Sequence, residues 1–171
     1  MTEKEPMAEL MVESEGAVVT PWTTVTTLIA DPGPTATPVL ASVRPDGRPH
    51  AVPLWPTWNN GAFFLATNQG TRMRKNLAQN PNCVIVVALK GFDLVVEGEA
   101  RHTTDSATLE RLAEVFNGHG WPVTVTDGSF EAPFGPLTKE TASYELWEVT
   151  PAVAFGIPTD ESGNHPTRYR F

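Results

Sequence analysis

Residues 39–67 read VLASVRPDGRPHAVPLWPTWNNGAFFLAT, and this stretch decides the fold. Val39 to Arg44 is an extended apolar run, and Pro45-Asp46-Gly47-Arg48 stops it as a tight turn of hairpin type. His50 to Trp58 returns, Asn59-Asn60-Gly61 reverses the chain again, and Ala62 to Thr67 supplies a third run rich in β-prone residues. Three strands on two short connections make an antiparallel meander. Pro53 and Pro56 cannot donate to a sheet ladder, so the middle strand should be bulged there or lie at an edge. Such a section, with Leu54, Trp55 and Thr57 around it, can offer its backbone to a flat ligand. A strand bent for barrel closure explains the same prolines equally well.

Downstream, Thr71 to Gln79 has helical spacing, with Met73 and Leu77 at i, i+4 facing inward. Asn82 to Leu89 is almost continuously apolar, which predicts a central, buried strand. Lys90-Gly91 turns it into Phe92 to Thr103, where Gly98 suggests a bulge or a barrel corner. Asp105 can cap a helix whose Leu109, Leu112, Ala113 and Phe116 form the clearest amphipathic pattern in the chain. Trp121 to Pro136 reads as an irregular surface excursion carrying Phe130 and Phe134. Ser143 to Val149 is a further strand, bent at Thr150-Pro151 into Ala152 to Ile157, and Pro166 to Phe171 closes the chain. Upstream, Thr20 as N-cap and Pro21 at the first helical position start a helix with Val25, Leu28 and Ile29 on one face. Asp31-Pro32-Gly33-Pro34 ends it. Residues 1–19 form a polar N-terminal segment, partly helical, with its first few residues mobile. The expectation is a mainly β (α+β) protein: a six-stranded antiparallel split β-barrel with a few short helices, in one domain spanning 20–171.

With 171 residues the chain suits a single domain that needs no staples. Sixteen prolines and thirteen glycines favour short strands and turns over long helices. A single cysteine, Cys83, rules out an intrachain disulfide, and its apolar neighbours predict a buried, unreactive thiol. No apolar run is long enough to span a bilayer, and the acidic start does not resemble a signal peptide, so the expectation is a cytoplasmic protein with no membrane partner. A net charge of −8 argues against a nucleic-acid surface. Any anionic ligand must then be held by a local basic cluster.

One such cluster exists. Thr67-Asn68-Gln69-Gly70-Thr71-Arg72-Met73-Arg74-Lys75 holds three of the twelve basic residues within four positions at a helix start. Basic residues there oppose the helix dipole, so a purely structural helix would carry acids instead. Hydroxyls, free N–H groups and cations together make an anion site; a solvated helix N-terminus is the bland alternative. Elsewhere the usual catalytic constellations are missing. There is no metal-ligand spacing, no nucleophile elbow, and no phosphate or dinucleotide loop; His50, His102, His119 and His165 are scattered. A protein without side-chain catalysts either binds something or lets a cofactor carry the chemistry.

The order of several short motifs is distinctive. They are Ser42 through His50, Val52-Pro53-Leu54-Trp55, Thr71-Arg72 through Asn76-Leu77 with Asn80-Pro81, Asp93 through Gly98, Ala154-Phe155-Gly156, and Thr167 through Phe171. Over Thr20 to Phe171 the chain resembles the pyridoxamine 5′-phosphate oxidase-like split-barrel family, and within it the flavin- and deazaflavin-dependent oxidoreductases. That resemblance implies a homodimer with FMN or, by preference, the deazaflavin coenzyme F-420 in a groove between subunits. It places the cofactor phosphate at Thr67, Asn68, Thr71, Arg72, Arg74 and Lys75, and the ring beside Pro53, Leu54 and Trp55. Arg168 and Arg170 would contribute across the dimer, or else simply close the barrel. No catalytic side chain is implied: the ring would pass hydride to a conjugated small molecule. The alternative is a non-catalytic flavin-, deazaflavin- or haem-binding protein. Two positions depart from the pattern. Met73 stands where relatives commonly carry Lys, and Pro56 where they have an aromatic or aliphatic residue.

Overall fold

A computed structural model of the chain describes residues 5–33, 36–135, 138–161 and 163–171. In chain order the elements are β1 (Met7–Leu10), α1 (Trp22–Ala30), β2 (Val39–Val43), β3 (Pro49–Pro53), β4 (Thr57–Asn59), β5 (Ala62–Thr67) and α2 (Arg72–Gln79). They continue with β6 (Asn82–Leu89), β7 (Phe92–Thr103), α3 (Ser106–Gly118), β8 (Thr124–Thr126), β9 (Ser129–Ala132), β10 (Ala142–Pro158) and β11 (Thr167–Arg170). Every strand pair is antiparallel, in the order β1-β11-β10-β7-β6-β2-β3, with β5 and β9 joining through β10. This is the mainly β, antiparallel split-barrel architecture that the meander implied.

The hub is β10. Its first half pairs with β5 on one side and β7 on the other; its second half keeps β7 and takes β11 in place of β5. The exchange falls at a register shift between Pro151 and Val153. Gly98 lies opposite, and a Cβ there would stand 2.3 Å from the Thr150 carbonyl oxygen, so only glycine fits at this corner. Because β5 and the start of β10 are buried on both faces, they divide two cores. Phe63, Leu65, Trp147 and Val149 face the barrel interior with Trp22, Leu40, Ile85 and Tyr169. Ala62, Phe64, Tyr144 and Leu146 face a second cluster roofed by α3 through Leu109, Leu112 and Phe116.

Several sequence expectations change in detail. The middle strand is two, β3 and β4, because Leu54-Trp55-Pro56 leaves the ladder; β3 is an edge of the sheet, as its prolines require. The excursion after α3 is a β8–β9 hairpin on Asp127-Gly128, both at positive φ, with Phe130 fully buried in the second core; its continuation at Pro136 lies outside the described residues. Thr20 does not cap α1, whose first residue follows Pro21 without a side-chain cap. Its hydroxyl instead donates to the His165 carbonyl, and its N–H donates to the Thr167 hydroxyl. Within residues 1–19, Met7–Leu10 is a strand on β11 rather than a helix, since a free sheet edge offers it partners that an isolated short helix lacks. The start expected to be mobile, residues 1–4, lies outside the described residues, as does Pro34 in the turn after α1.

Central though it is, β6 is buried on one face only. Cys83, Ile85, Val87 and Leu89 point into the core, while Val86 is 39% exposed. Burial pushes the Cys83 thiol up to about 12, which keeps it protonated and inert. Register puts Val39, Ala41 and Val43 of β2 on the same outward face as Val84 and Val86 of β6 and Val95 of β7. The outward valines of β2 and β6 thus form an apolar patch that the acids Asp93, Glu97 and Glu99 of β7 border.

Candidate anion site at the start of helix α2

The loop before α2 is shaped by its own side chains. The Asn68 side-chain oxygen accepts from the Gly70 N–H at 2.9 Å, and the Thr71 N–H donates to the Asn68 carbonyl, closing a turn. Thr71 then caps the helix: its hydroxyl oxygen accepts from the Arg74 N–H at 3.2 Å and lies 2.9 Å from the hydroxyl of buried Thr67. The first-turn N–H groups of Arg72 and Met73 have no intrahelical acceptor and face outward from the cap. Thr67, Asn68 and Thr71 are thus linked at the start of α2, of which Arg72 is the first residue.

The three basic residues part company along the helix. At about 100° per residue, Arg72 and Asn76 fall on one side of α2, Arg74 and Ala78 on roughly the opposite side, with Met73 and Leu77 between them. Met73 and Leu77 are buried in the barrel core, so the side chain at position 73 points inward. Arg74 forms a two-pronged pair with Glu145 of β10: Nε to Oε2 at 2.9 Å and Nη2 to Oε1 at 3.0 Å. Trp147 Nε1 also donates to Glu145 Oε2. The Glu145 side chain is only 4% exposed, and hydrogen bonding from Arg74 holds its carboxyl below the usual carboxylate range. Beside this pair, Leu77, His102 and Trp147 border an open cleft of about 420 Å³, with His102 stacked on Trp147 at 5.6 Å between ring centroids. Arg72 and Lys75 form no ion pair among the described residues and are exposed.

On the other side of α2, Asn76 donates through Nδ2 to the Ser42 hydroxyl at 3.0 Å, a buried contact that pins the helix to the β2–β3 hairpin. Arg72 therefore lies toward the turn end of that hairpin, close enough to His50 to act on its charge together with Arg44; neither Arg44 nor His50 stands out as a ligand in the sequence. The signal was present: Ser42 and Arg44 alternate onto one face, and the register puts His50 opposite Ser42.

The remaining candidates are placed apart. Leu54 is buried, whereas Pro53 and Trp55 are exposed, Trp55 by 67%. Arg168 and Arg170 of β11 both donate to Glu9 of β1, and Arg168 also lies over the Phe155 ring. No group of three or more His, Cys, Asp or Glu side chains among the described residues is arranged to hold a metal. No helix among them is long and apolar enough to cross a membrane.

A family model described as pyridoxamine 5′-phosphate oxidase matches residues 34–154. Among solved structures, the chain is similar to general stress protein 26 from Bacillus anthracis at 21% identity, covering 80% of this chain and 93% of that one, with a TM-score of 0.55. A NimC/NimA family protein from Clostridium acetobutylicum is 16% identical over 85% of this chain and 91% of its own, with a TM-score of 0.60. An F-420 reductase is 21% identical over 83% and 98%, with a TM-score of 0.51. No curated protein sequence matches. At these identities the structural likenesses carry the fold.

Proposed function

The chain belongs to the pyridoxamine 5′-phosphate oxidase family, and from that premise we propose that it is an oxidoreductase using a flavin or deazaflavin cofactor. The observation that carries the proposal is the capped turn at Asn68–Thr71, which aims first-turn N–H groups outward beside Arg72 and Lys75, two cations without an ion-pair partner among the described residues. Hydroxyl, N–H and guanidinium donors on one helix start suit a phosphate. Thr67, Asn68, Thr71, Arg72 and Lys75 would hold that group. Arg74 serves through Glu145, by fixing the helix that presents them. Pro53 and Trp55, exposed at the sheet edge, offer backbone and an aromatic face to a planar ring.

When bound, FMN or coenzyme F-420 supplies hydride transfer to or from a conjugated small molecule. The chain's share is orientation and exclusion of water. Between the two cofactors we favour the deazaflavin. Titrating the protein with each while recording the visible spectrum tests this: saturable binding is expected, weakened about tenfold by Arg72→Ala, the usual scale for losing one charged hydrogen bond. No spectral change with either cofactor sinks the reading. Met73, uncharged and turned into the core, brings no cation to the helix start, which favours a second reading in which the cofactor is held without turnover; binding without reoxidation by any acceptor would select it.

We further propose that two copies of the chain pair through the outward apolar patch of β2 and β6, which Val95 of β7 extends. Val86→Glu at its centre should turn a dimer into a monomer in sedimentation at unchanged fold; a wild-type chain that is already monomeric defeats the idea.

A further inference from the structure

The inward face of the β2–β3 hairpin carries polar groups that the barrel core does not use. Ser42 faces His50 across the pair, and Arg44 follows Ser42 by two residues onto the same face. The buried Asn76–Ser42 hydrogen bond fixes α2 above them, and Arg72 stands one turn from Asn76 on that helix face. Two guanidinium groups therefore stand close enough to the imidazole, at the turn end of the hairpin, for both to act on it. The carboxylate at the hairpin tip, Asp46, is taken up by Arg48 through contacts of 2.6 and 3.0 Å and a backbone bond of 3.1 Å. Within this group, Arg44 Nε and His50 Nδ1 are buried with no hydrogen-bond partner among the described residues. A buried donor or ring nitrogen without a partner is costly, and here there are two of them, near a second guanidinium, that of Arg72.

We propose that Arg44, His50 and Arg72 form a cradle for a tetrahedral phosphoryl anion, in which His50 takes up a proton from solvent as the anion binds. This rests on the reading that α2 holds a cofactor phosphate, and extends that site to hairpin residues. The charged groups acting on the imidazole are Arg44 from its own hairpin and Arg72 from α2. Together with burial, the largest influence, they hold His50 below its usual range and so neutral near pH 7. A bound dianion reverses that field, raising the affinity of the imidazole for a proton. Binding should therefore tighten as pH falls, the anion and the proton assisting one another.

The test uses the full chain and sulfate, a tetrahedral dianion that does not itself titrate near neutrality, alongside FMN. The His50 ring is followed by NMR, assigned by its loss in His50→Gln, and affinities are taken from calorimetry at about pH 6 and about pH 8. Sulfate should shift the His50 signals and bind about tenfold tighter at the lower pH. His50→Gln should abolish that pH dependence, and Arg44→Gln should weaken binding about tenfold without moving the melting temperature. Sulfate binding that ignores pH, or a pH dependence that survives in His50→Gln, overturns the cradle. The cofactor reading is separable. If neither FMN nor coenzyme F-420 binds while sulfate still shifts His50, the cradle stands and that reading falls; FMN binding with a silent His50 has the opposite meaning.

Discussion

Two carboxylates in this protein each hold arginines, in opposite surroundings. Glu145 is almost completely enclosed and joins β10 to α2 through Arg74, with the Trp147 indole completing its hydrogen bonds. Glu9 joins β1 to β11 through Arg168 and Arg170, and its side chain is 40% exposed. Both arginine groups look alike in sequence, as basic clusters able to meet an anion. Solvent separates them. Around Glu145, water is excluded from the carboxylate and the two-pronged geometry is fixed, so removing one partner strands the other. Around Glu9, water and salt can replace either partner at little cost. The first pair acts as a structural bolt between β10 and α2; the second is an edge fastening.

The largest effect should come from breaking the bolt. Glu145→Ala leaves the Trp147 N–H without its acceptor and Arg74 without its partner. Breaking a fully buried pair typically costs about 3–5 kcal/mol; Arg74 is 34% exposed, so we expect about 2 kcal/mol, or a fall of roughly 4–8 °C in melting temperature by circular dichroism. The pH dependence has a definite sign. The Glu145 carboxyl is held below its unfolded value of 4.5, mainly by Arg74, so its contribution is complete above that value and is lost as pH falls through the lower folded value. The advantage of the wild type over Glu145→Gln should therefore shrink only under acid. A constant gap down to strong acid would assign the effect to packing.

Next in size is the contrast between neighbouring arginines. Arg74→Lys keeps the charge but loses the two-pronged geometry, so it should lower the melting temperature by a few degrees, about half the effect of Glu145→Ala. Arg72→Ala should leave the melting temperature unmoved while weakening cofactor binding about tenfold. The reverse pattern, with Arg72 needed for stability and Arg74 only for binding, would exchange their roles.

Much of this was legible because the signals are local. Asn60-Gly61 turns at positive φ as that dipeptide demands, Asp105 accepts from the Thr108 N–H as a cap should, and Gly98 sits at the strand corner. The Asp127-Gly128 hairpin carried an equally local signal, obscured by the surrounding glycines and prolines. What no local pattern could carry is partnership at a distance. Arg74 and Glu145 lie 71 residues apart, so the commitment of Arg74 to β10 appears only once the sheet is closed. The same holds for Glu9 and Arg168, 159 residues apart, and for Thr20, which local spacing made a helix cap and the closed barrel ties to His165 and Thr167. Arg44 and His50 are intermediate: strand alternation puts them on one face, but only the Asn76–Ser42 contact reveals what stands over that face.

The smallest effect tests the other side of the comparison. Glu9→Gln removes the negative charge facing both β11 arginines, yet all three side chains keep access to water, so the melting temperature at physiological salt should stay within about a degree of wild type. At low salt, where exposed charges are less screened, a small loss should emerge and then vanish again as salt is added. Within the pair, Arg168→Ala should cost more than Arg170→Ala, because Arg168 also covers the Phe155 ring at 5.6 Å to its centroid. If Glu9→Gln instead melts as early as Glu145→Gln, and salt makes no difference, the β1–β11 edge is shielded from water in the protein as it exists in solution. Covering by a second copy would be the direct explanation, and repeating the melt on the Val86→Glu monomer would decide it. Loss of the Glu9 effect there would place that edge inside the dimer, and its persistence would locate the shielding within a single chain.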